Sequence, residues 1–391
     1  MKPDKTTLQQ LLPGRNNLLA GSQLRPNSHI ILACGFEERA LGFLKNLTPI
    51  QAEGVDSITL IKYLPVRDDN DQNYDAIVEE FNRLGLSLNS LKVIEFNREY
   101  LSDFYEYLNS RNPFEGSNYY YLDISAMSKL LILYLLDDLW HNRRKPFSII
   151  YTEACEYGPS REEFEDAFAK GETAQSLSLE FTSAGVFDPI VPEPFQGASP
   201  LGSPRALVSF LSFNKRQVIG AAAIVPYQFF VPIISVPSDS LNGWRVDAVT
   251  RVNNEGLLVR EKLISEIPIL EIDNAELNAP YSEYRVLDEA DNYIGTLKTL
   301  MVLERIHRYR HFITIAPFGT KLQTLAVFLF TLIFPETQIV YASPLDFHPR
   351  YSTGVKSVSE IVFEDLMQLE DELRIAASPD LKYLRELSIE E

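Results

Sequence analysis

Residues 29–39 read HIILACGFEER, and residues 206–216 repeat the same layout as ALVSFLSFNKR. Each stretch begins with an apolar run that is typical of a buried strand. A short polar loop follows, which carries a phenylalanine and ends in Arg39 or Arg216. The repeated layout predicts two related strand–loop units in one chain.

Three further matches follow these stretches in the same order. A hydroxyl residue and a lysine open a helical pattern after a later apolar run, as Ser128-Lys129 and as Thr320-Lys321. Each of these helices leads to a strand pattern that ends in a tyrosine. The two exits also agree, reading EYGP at residues 156–159 and DFHP at residues 346–349. Together the matches predict an internal duplication.

The fold class follows from the order of the elements. From Ser28 onward apolar runs alternate with helical patterns, which is typical of a parallel sheet covered by helices on both faces. In the second half, strand patterns at Trp244–Thr250 and Leu257–Arg260 flank an Asn-Glu-Gly turn, which predicts an antiparallel hairpin. We therefore predict an α/β fold of two related Rossmann-like units with mostly parallel sheets, the second carrying an inserted β-hairpin.

Composition also predicts the domain boundaries. Residues 183–205 contain five prolines together with several Gly, Ser and Ala residues, a composition typical of a linker. The predicted division is a leader at 1–27, a first Rossmann-like unit at 28–182, the Pro-rich linker at 183–205, and a second Rossmann-like unit at 206–391 that ends in an acidic helical tail.

Charge and cysteine content exclude several classes of protein. The chain has 391 residues and a net charge of −18, so it lacks the excess Lys and Arg that long nucleic acids require, although a local basic pocket could still bind a small anion. Two cysteines cannot build a disulfide framework, and the polar N-terminus shows no signal peptide. The longest apolar run is too short for a bilayer. We expect a cytoplasmic protein with no membrane partner.

The repeated loops carry the residues from which we predict a binding site. Ligands of parallel α/β sheets bind beyond the carboxyl ends of the strands, where these loops are predicted to lie. The first turn of a helix favours an anion, and a hydroxyl and a lysine there add a donor and a charge. The predicted phosphate-binding residues are Arg39, Ser128, Lys129, Arg216, Thr320 and Lys321. The competing interpretation is that the hydroxyl residues are only helix caps and the lysines are solvated.

Familiar catalytic and cofactor motifs are absent from the sequence. It contains no P-loop, no G-x-G-x-x-G after the first strand, and no G-x-S-x-G elbow. His307 and His311 are spaced as they would be on one helix face, but no third ligand is evident. We therefore predict no metal site and no cofactor.

The loop Asp123–Lys129, DISAMSK, resembles the Asp-x-Thr/Ser-x-Gly-Thr-Lys loop of CARF domains, which are Rossmann-like sensors of cyclic oligoadenylates and related signals. The second copy, Ile315–Lys321, keeps the Gly-Thr-Lys end but lacks the acid and the first hydroxyl, and Met127 stands at the family's glycine position in the first copy. CARF domains pair around a two-fold axis, and SAVED domains resemble two such units fused in one chain. The resemblance implies that Ser125 lines the site and that both Ser/Thr-Lys pairs face bound phosphates.

Three hypotheses about function follow. The first is a sensor that binds a nucleotide-type anionic signal, such as a cyclic oligonucleotide, between its two halves and relays it to a separate effector protein in antiviral defence. The second is a nucleotide-processing enzyme, a phosphodiesterase or an N-glycosidase, that uses the same loops. The third is a non-catalytic scaffold of a defence complex. The sensor hypothesis predicts that Arg39, Lys129, Arg216 and Lys321 converge on one cleft between the halves.

Overall fold

The computed structural model describes residues 5–18, 23–64, 68–170, 183–200, 202–254, 258–259, 262–274, 283–348 and 351–377. The chain divides into two units. The first unit comprises Pro13–Gly158 and Pro349–Gln368, and the second comprises Met1–Leu12, Pro159–His348 and Leu369–Glu391. Each unit is built around its own main sheet.

In chain order the strands are β1 (Asn16–Asn17), β2 (Ser28–Cys34), β3 (Val55–Leu64), β4 (Leu91–Asn97), β5 (Tyr119–Asp123), β6 (Phe147–Glu153), β7 (Glu156–Tyr157), β8 (Ser183–Ala184), β9 (Arg205–Leu211), β10 (Phe229–Val236), β11 (Leu258–Val259), β12 (Lys262–Leu263), β13 (Val286–Glu289), β14 (Phe312–Ala316), β15 (Gln338–Ile339), β16 (Asp346–Phe347), β17 (Ser352–Thr353) and β18 (Ser357–Phe363).

The α-helices are α1 (Lys5–Leu11), α2 (Gly42–Asn46), α3 (Pro49–Ala52), α4 (Asp68–Leu84), α5 (Leu101–Arg111), α6 (Lys129–Asp137), α7 (Arg161–Ala169), α8 (Lys215–Ile224), α9 (Trp244–Asn254), α10 (Tyr293–His307), α11 (Lys321–Ile333) and α12 (Leu366–Ala377). A π-helical turn at Asp138–Arg143 continues α6. In the part of the chain that the structure describes, no helix combines the length and the apolar character needed to cross a bilayer.

The main sheet of the first unit has five parallel strands in the order β4-β3-β2-β5-β6. Strand β18 pairs antiparallel with β6, and β1 pairs antiparallel with β18. Every residue of β2 is buried, as expected for a strand covered on both faces. Because the chain leaves β2 in one direction and later returns on its other side as β5, the gap between these two strands is the topological switch point.

The main sheet of the second unit repeats this arrangement. Its strands are all parallel and lie in the order β13-β10-β9-β14-β15. Numbered within each unit, both sheets therefore have the order 3-2-1-4-5, and the second switch point lies between β9 and β14. The predicted α/β class with two related Rossmann-like units is confirmed.

The repeated motifs occupy equivalent places in the two sheets. The loops that end in Arg39 and Arg216 each follow the first strand of a unit, β2 or β9. Lys129 and Lys321 are each the first residue of the helix that follows the fourth strand, β5 or β14. Both pairs of motifs therefore lie beside the switch point of their own unit.

The inserted hairpin is smaller than predicted. Antiparallel pairing joins only β11 to β12, and residues 244–250, predicted as a strand, belong to helix α9. The strand prediction was wrong because Ala248, Val249, Val252 and Asn253 are buried at helical spacing, so packing overrides the β-propensity of the valines. Of the predicted Asn-Glu-Gly turn at residues 254–256, Asn254 belongs to α9, and residues 255–256 lie outside the described residues.

The observed boundaries also differ from the predicted ones. Within the predicted leader, α1 belongs to the second unit, whereas β1 joins the first sheet. Residues 183–200 are not a linker, because β8 pairs with β16 and Ile190 bridges Tyr341 inside the second unit. Residues 349–368, predicted in the second unit, include β18 of the first sheet. Short non-local pairings of this kind leave no periodicity in the sequence. Of the predicted acidic tail, the structure describes α12, and residues 378–391 lie outside the described part.

Candidate functional site

Two loops approach each other closely at the switch point of the first unit. Gly35 directly follows β2, and a Cβ there would lie 2.9 Å from the Cβ of Ala126 and 3.1 Å from its carbonyl oxygen, so only glycine fits. Tyr63, near the end of β3, makes two hydrogen bonds to the loop between β5 and α6. Its hydroxyl donates to the Ala126 carbonyl (3.4 Å) and accepts from the backbone N–H of Ser128 (2.6 Å). The loop before α6 is therefore held in place by the neighbouring strands.

Lys129 opens helix α6 at this loop. The Ser128 hydroxyl caps the helix by accepting from the backbone N–H of Leu131 at 3.3 Å. The Lys129 side chain is half-buried, and this burial, reinforced by the charge of Arg39, lowers the pKa of its amine to about 8, with Glu37 acting in the opposite direction. Among the residues that the structure describes, the Lys129 ammonium finds no partner for a hydrogen bond or an ion pair. A cationic group thus stands at a helix start without a counter-charge in contact.

Arg39 has the opposite surroundings. Its guanidinium is buried and contacts the Glu37 carboxylate, with both Nε and Nη2 at 2.7 Å from Oε2. It also lies over the Tyr157 ring, 5.5 Å from the centroid, and donates to the Tyr157 hydroxyl at 3.4 Å. Glu37 accepts a further hydrogen bond from the Ser352 hydroxyl. The Arg39 guanidinium is therefore held by Glu37 and Tyr157, and it affects the site through its positive charge.

Ser125 is buried, and its hydroxyl makes hydrogen bonds within the sheet. Its hydroxyl donates to the Asp123 carboxylate and accepts from the backbone N–H of Thr152 at 2.7 Å, and its own N–H donates to Asp123 at 2.9 Å. These bonds join the ends of β5 and β6. The position implied by the resemblance is therefore next to the site, but the hydroxyl is engaged inside the protein.

Tyr63, Arg98 and Glu37 belong to the site although the sequence analysis did not select them as binding residues. Arg98 directly follows β4, and its charge lowers the pKa of Tyr63, whereas burial, the largest effect, raises that pKa to about 12. All three lie at or after carboxyl ends of the parallel strands. Ligands of parallel sheets bind beyond the carboxyl ends of all the strands, so the ends of the second and third strands were candidates as well, although no repeated motif marks them.

The equivalent helix start in the second unit is closed by a polar network. Thr320 and Gln323 form a reciprocal cap, in which Thr320 N–H donates to Gln323 Oε1 (2.9 Å) and Gln323 N–H to Thr320 Oγ1 (3.1 Å). The Gln323 amide also accepts from Ser235 (2.8 Å) and donates to Asp288 (2.8 Å). Burial raises the pKa of Asp288, against the effect of its hydrogen bonds. A buried acid therefore stands close to the helix start that carries Lys321.

Arg216 differs from Arg39 because its loop lacks the clamping acid. Asn214 replaces Glu37, and its side-chain oxygen accepts from the backbone N–H of Arg216 at 3.2 Å. The Arg216 guanidinium is half-buried and makes no hydrogen bond or ion pair with a described residue. Arg216 in the second unit thus lacks the carboxylate contact that Arg39 has in the first. In the first unit it is the Lys129 ammonium that has no carboxylate in contact.

The predicted site residues fall into two sets. The first unit holds Arg39, Ser125, Ser128 and Lys129, and the second holds Arg216, Thr320 and Lys321. Convergence of the four basic residues on one cleft stays a prediction. Within the described ranges, no cluster of three or more His, Cys, Asp or Glu side chains could hold a metal ion.

No protein-family description and no curated protein matches the sequence. A functionally unknown protein from Pseudomonas aeruginosa PAO1 aligns at 10% identity over 88% of this chain and 95% of its own, with a TM-score of 0.20. A candidate universal stress protein from Pseudomonas aeruginosa UCBPP-PA14 aligns at 10% identity over 90% and 98%, with a TM-score of 0.21. Likenesses this low carry no argument about function.

Proposed function

We propose that this protein is a sensor of a nucleotide-type anion. The anion binds at the switch point of the first unit, and the protein relays this signal to a separate effector protein. The observation that supports this proposal is the surroundings of Lys129. Its ammonium is half-buried at the start of α6, has a pKa of about 8, and makes no hydrogen bond or ion pair with a described residue. A phosphate group placed there supplies the missing counter-charge.

The chemistry of the site suits a phosphate. The first turn of α6 offers backbone N–H groups and the positive end of the helix dipole, and Lys129 adds a mobile charge. The clamped Arg39 adds positive potential without a free guanidinium face. An anion in contact with the lysine favours its protonated form, so its pKa returns toward the ordinary value.

Overall charge restricts the kind of ligand. The chain carries a net charge of −18, which repels long polyanions at a distance and leaves a local basic site accessible to a small anion. A short or cyclic nucleotide fits this condition. The effector protein, the role in antiviral defence and the cytoplasmic location are part of the proposal and rest on the sequence interpretation alone.

The second unit provides a natural comparison for the first. Lys321 occupies the place of Lys129, but its helix start is closed by Gln323, and the Asp288 carboxylate lies next to that cap. A nearby carboxylate disfavours an approaching phosphate. We therefore expect Lys129 to contribute more to anion binding than Lys321.

Calorimetric titration with a panel of linear and cyclic nucleotides tests the proposal. Replacing the amine in Lys129→Met removes a charge-assisted hydrogen bond worth about 1.5–3 kcal/mol, which weakens binding about ten- to a hundred-fold. Lys321→Met is the matched control and should weaken it less, and Lys129→Arg should retain most of the affinity. Absence of binding by the wild type, or unchanged affinity in Lys129→Met, would contradict the proposal.

The same ligand panel separates the sensor from the enzyme hypothesis. A sensor should return each bound nucleotide intact after prolonged incubation, as measured by chromatography and mass spectrometry. Turnover that disappears in Lys129→Met would instead favour the nucleotide-processing enzyme. Failure of every nucleotide to bind would leave the scaffold hypothesis.

A further inference from the structure

The parallel strands of the second unit begin at an end of the sheet that is rich in arginine. Helix α10 ends at His307 and β14 begins at Phe312, so residues 307–312, HRYRHF, form a turn at this end. No Asp or Glu occurs between residues 305 and 335. The whole chain, by contrast, has 54 acidic residues against 36 Lys and Arg, so this turn reverses the overall charge locally.

The side chains of this turn are presented to solvent. Tyr309 is 87% exposed, and Arg308 and Arg310 on either side of it are also exposed. The Arg308 guanidinium lies over the Tyr309 ring, 5.6 Å from its centroid, and its Nε is 3.4 Å from the Glu304 carboxylate. An exposed tyrosine between two exposed arginines offers apolar area, hydrogen-bond donors and positive charge in one place.

Neighbouring strands add two arginines that have no carboxylate in contact. Arg205 begins β9, and its guanidinium donates to the Thr314 hydroxyl at 3.2 Å and to the Ser199 hydroxyl. Arg285 directly precedes β13, and its Nε is buried with no hydrogen-bond partner among the described residues. Neither guanidinium makes an ion pair with a described residue, so the charge of both adds to that of the turn.

Two histidines beside the turn favour an anion over a metal ion as the ligand. His307 Nδ1 lies 3.3 Å from His311 Nδ1, a spacing that would suit a metal chelate. No third ligand accompanies this pair in the part of the chain that the structure describes. Burial lowers the pKa of both histidines, and the charge of Arg310 lowers it further. The same positive charge repels a cation and attracts an anion.

The helix dipole accounts for only part of this charge. Cations in the last turn of a helix stabilise its carboxyl end, and Arg305 and His307 belong to the last turn of α10. Arg308 and Arg310 follow that turn, and the two strand arginines belong to other elements. Charges of one sign that are gathered in this way repel one another, so an anionic partner stabilises the arrangement.

An exposed apolar patch adjoins the arginines. Ile224, which is 44% exposed, ends α8, and Tyr227, which is 39% exposed, directly precedes Gln228. The backbone N–H of Gln228 donates to the Arg205 carbonyl at 2.9 Å, which places this segment beside the start of β9. No charged residue occurs in residues 217–228. A ligand that spans both regions therefore needs acidic and apolar groups close together.

We propose that this end of the second sheet docks an acidic segment of a partner protein, in which Asp or Glu residues alternate with apolar side chains. We call the docking region the amino-end surface, and it comprises Arg205, Tyr227, Arg285, Arg308, Tyr309 and Arg310. Guanidinium groups bind carboxylates through paired hydrogen bonds, and the exposed tyrosines cover the apolar side chains.

A nucleic acid suits the amino-end surface less well than an acidic protein segment. The net charge of −18 repels a long polyphosphate, and a phosphate backbone offers no apolar group to the patch at Ile224 and Tyr227. The surface lies at the opposite end of the parallel strands from the loops that carry Arg216 and Lys321. Docking there is therefore separate from the switch point of the second unit and from the anion site proposed in the first.

Fluorescence anisotropy of the full-length protein with an array of labelled peptides tests the proposal. The peptides have about twelve residues, with Glu alternating with Leu or Phe in varied order. Wild type should bind a subset of them, and the double variant Arg308→Gln/Arg310→Gln should bind these about tenfold more weakly, as expected for two exposed ion pairs. Tyr309→Ser should also weaken binding, because it removes exposed aromatic area.

Three matched controls should leave peptide affinity unchanged. Arg161→Gln removes an exposed arginine at the start of α7, and Tyr100→Ser removes an exposed tyrosine of the first unit. Lys129→Met changes the proposed nucleotide site alone, so this variant separates failure of the docking proposal from failure of the proposed function.

Three results would overturn the proposal. The first is the absence of binding by wild type to every peptide, or an equal loss in Arg161→Gln, which would show that the amino-end surface has no special role. The second is tighter binding of a labelled oligothymidylate than of any peptide, which would make the surface a nucleic-acid site. The third is a dimer in sedimentation experiments that Arg308→Gln/Arg310→Gln abolishes, because a second copy of this chain would then occupy the surface.

Discussion

At the scale of single residues, surroundings separate side chains that the sequence could not rank. Ser125 and Lys129 were both predicted to bind the ligand because both match one loop motif. The Ser125 hydroxyl is buried between β5 and β6 and has a partner on each side, whereas the Lys129 ammonium makes no hydrogen bond or ion pair with a described residue. The number of partners that a polar group finds depends on strands distant in sequence, so the motif alone could not predict it.

The difference predicts opposite phenotypes for the two positions. Ser125→Ala removes one hydrogen bond to the Asp123 carboxylate and leaves the buried Thr152 amide without its hydroxyl acceptor, and should lower the free energy of unfolding by about 1–3 kcal/mol. Urea denaturation measures this loss, and anion affinity of the folded variant should stay unchanged. A variant with native stability but weakened binding would show that the Ser125 hydroxyl faces the ligand.

At the scale of elements, helices α6 and α11 show how one residue changes an equivalent site. Both begin with a hydroxyl cap followed by lysine, but Leu131 stands where α11 has Gln323. Gln323→Leu would leave Ser235 and Asp288 without their amide partner, and should cost about 1–3 kcal/mol of unfolding free energy in urea denaturation. A change within about 0.5 kcal/mol would mean that the network is solvated and does not close the helix start.

Elements with a clear period were predicted well, and short non-local ones were not. Strand β14 was predicted with its observed bounds, because a buried parallel strand is a continuous apolar run. Helix α9 was mistaken for a strand because Val and Thr favour strands when their packing partners are unknown. The strands β8 and β17 have two residues each and therefore no period, so neither was predicted.

At the scale of the whole molecule, buried histidines and buried acids have opposite effects on the free energy of unfolding as the pH falls. Burial lowers the pKa of His29 and of His307 to about 4, so the unfolded chain takes up their protons first and stability falls as pH drops from about 6.5 to 4. Burial raises the pKa of Asp137 and of Glu304 to about 7, so the folded state takes up those protons first and stability rises as pH drops from about 7.

These opposite effects predict that the four groups together leave the unfolding free energy of the wild type nearly constant between pH 7 and 4.5. Asp137→Asn removes the stability that protonation of Asp137 adds as the pH falls. The unfolding free energy of the variant should therefore fall relative to wild type by about 2–4 kcal/mol over that interval. Chemical denaturation at several pH values measures the difference. A variant whose profile runs parallel to that of wild type would show that Asp137 titrates normally.

The most direct test of the account is the number of protons taken up when a phosphodiester ligand binds, measured by calorimetry in buffers of different ionisation enthalpy. The free Lys129 amine, with a pKa of about 8, is mostly neutral at pH 9, and a bound anion should return it to the charged form. We expect uptake approaching one proton at pH 9, almost none at pH 6.5, and none at either pH in Lys129→Met. Binding without proton uptake at pH 9 would contradict it, because the anion would then lie away from Lys129.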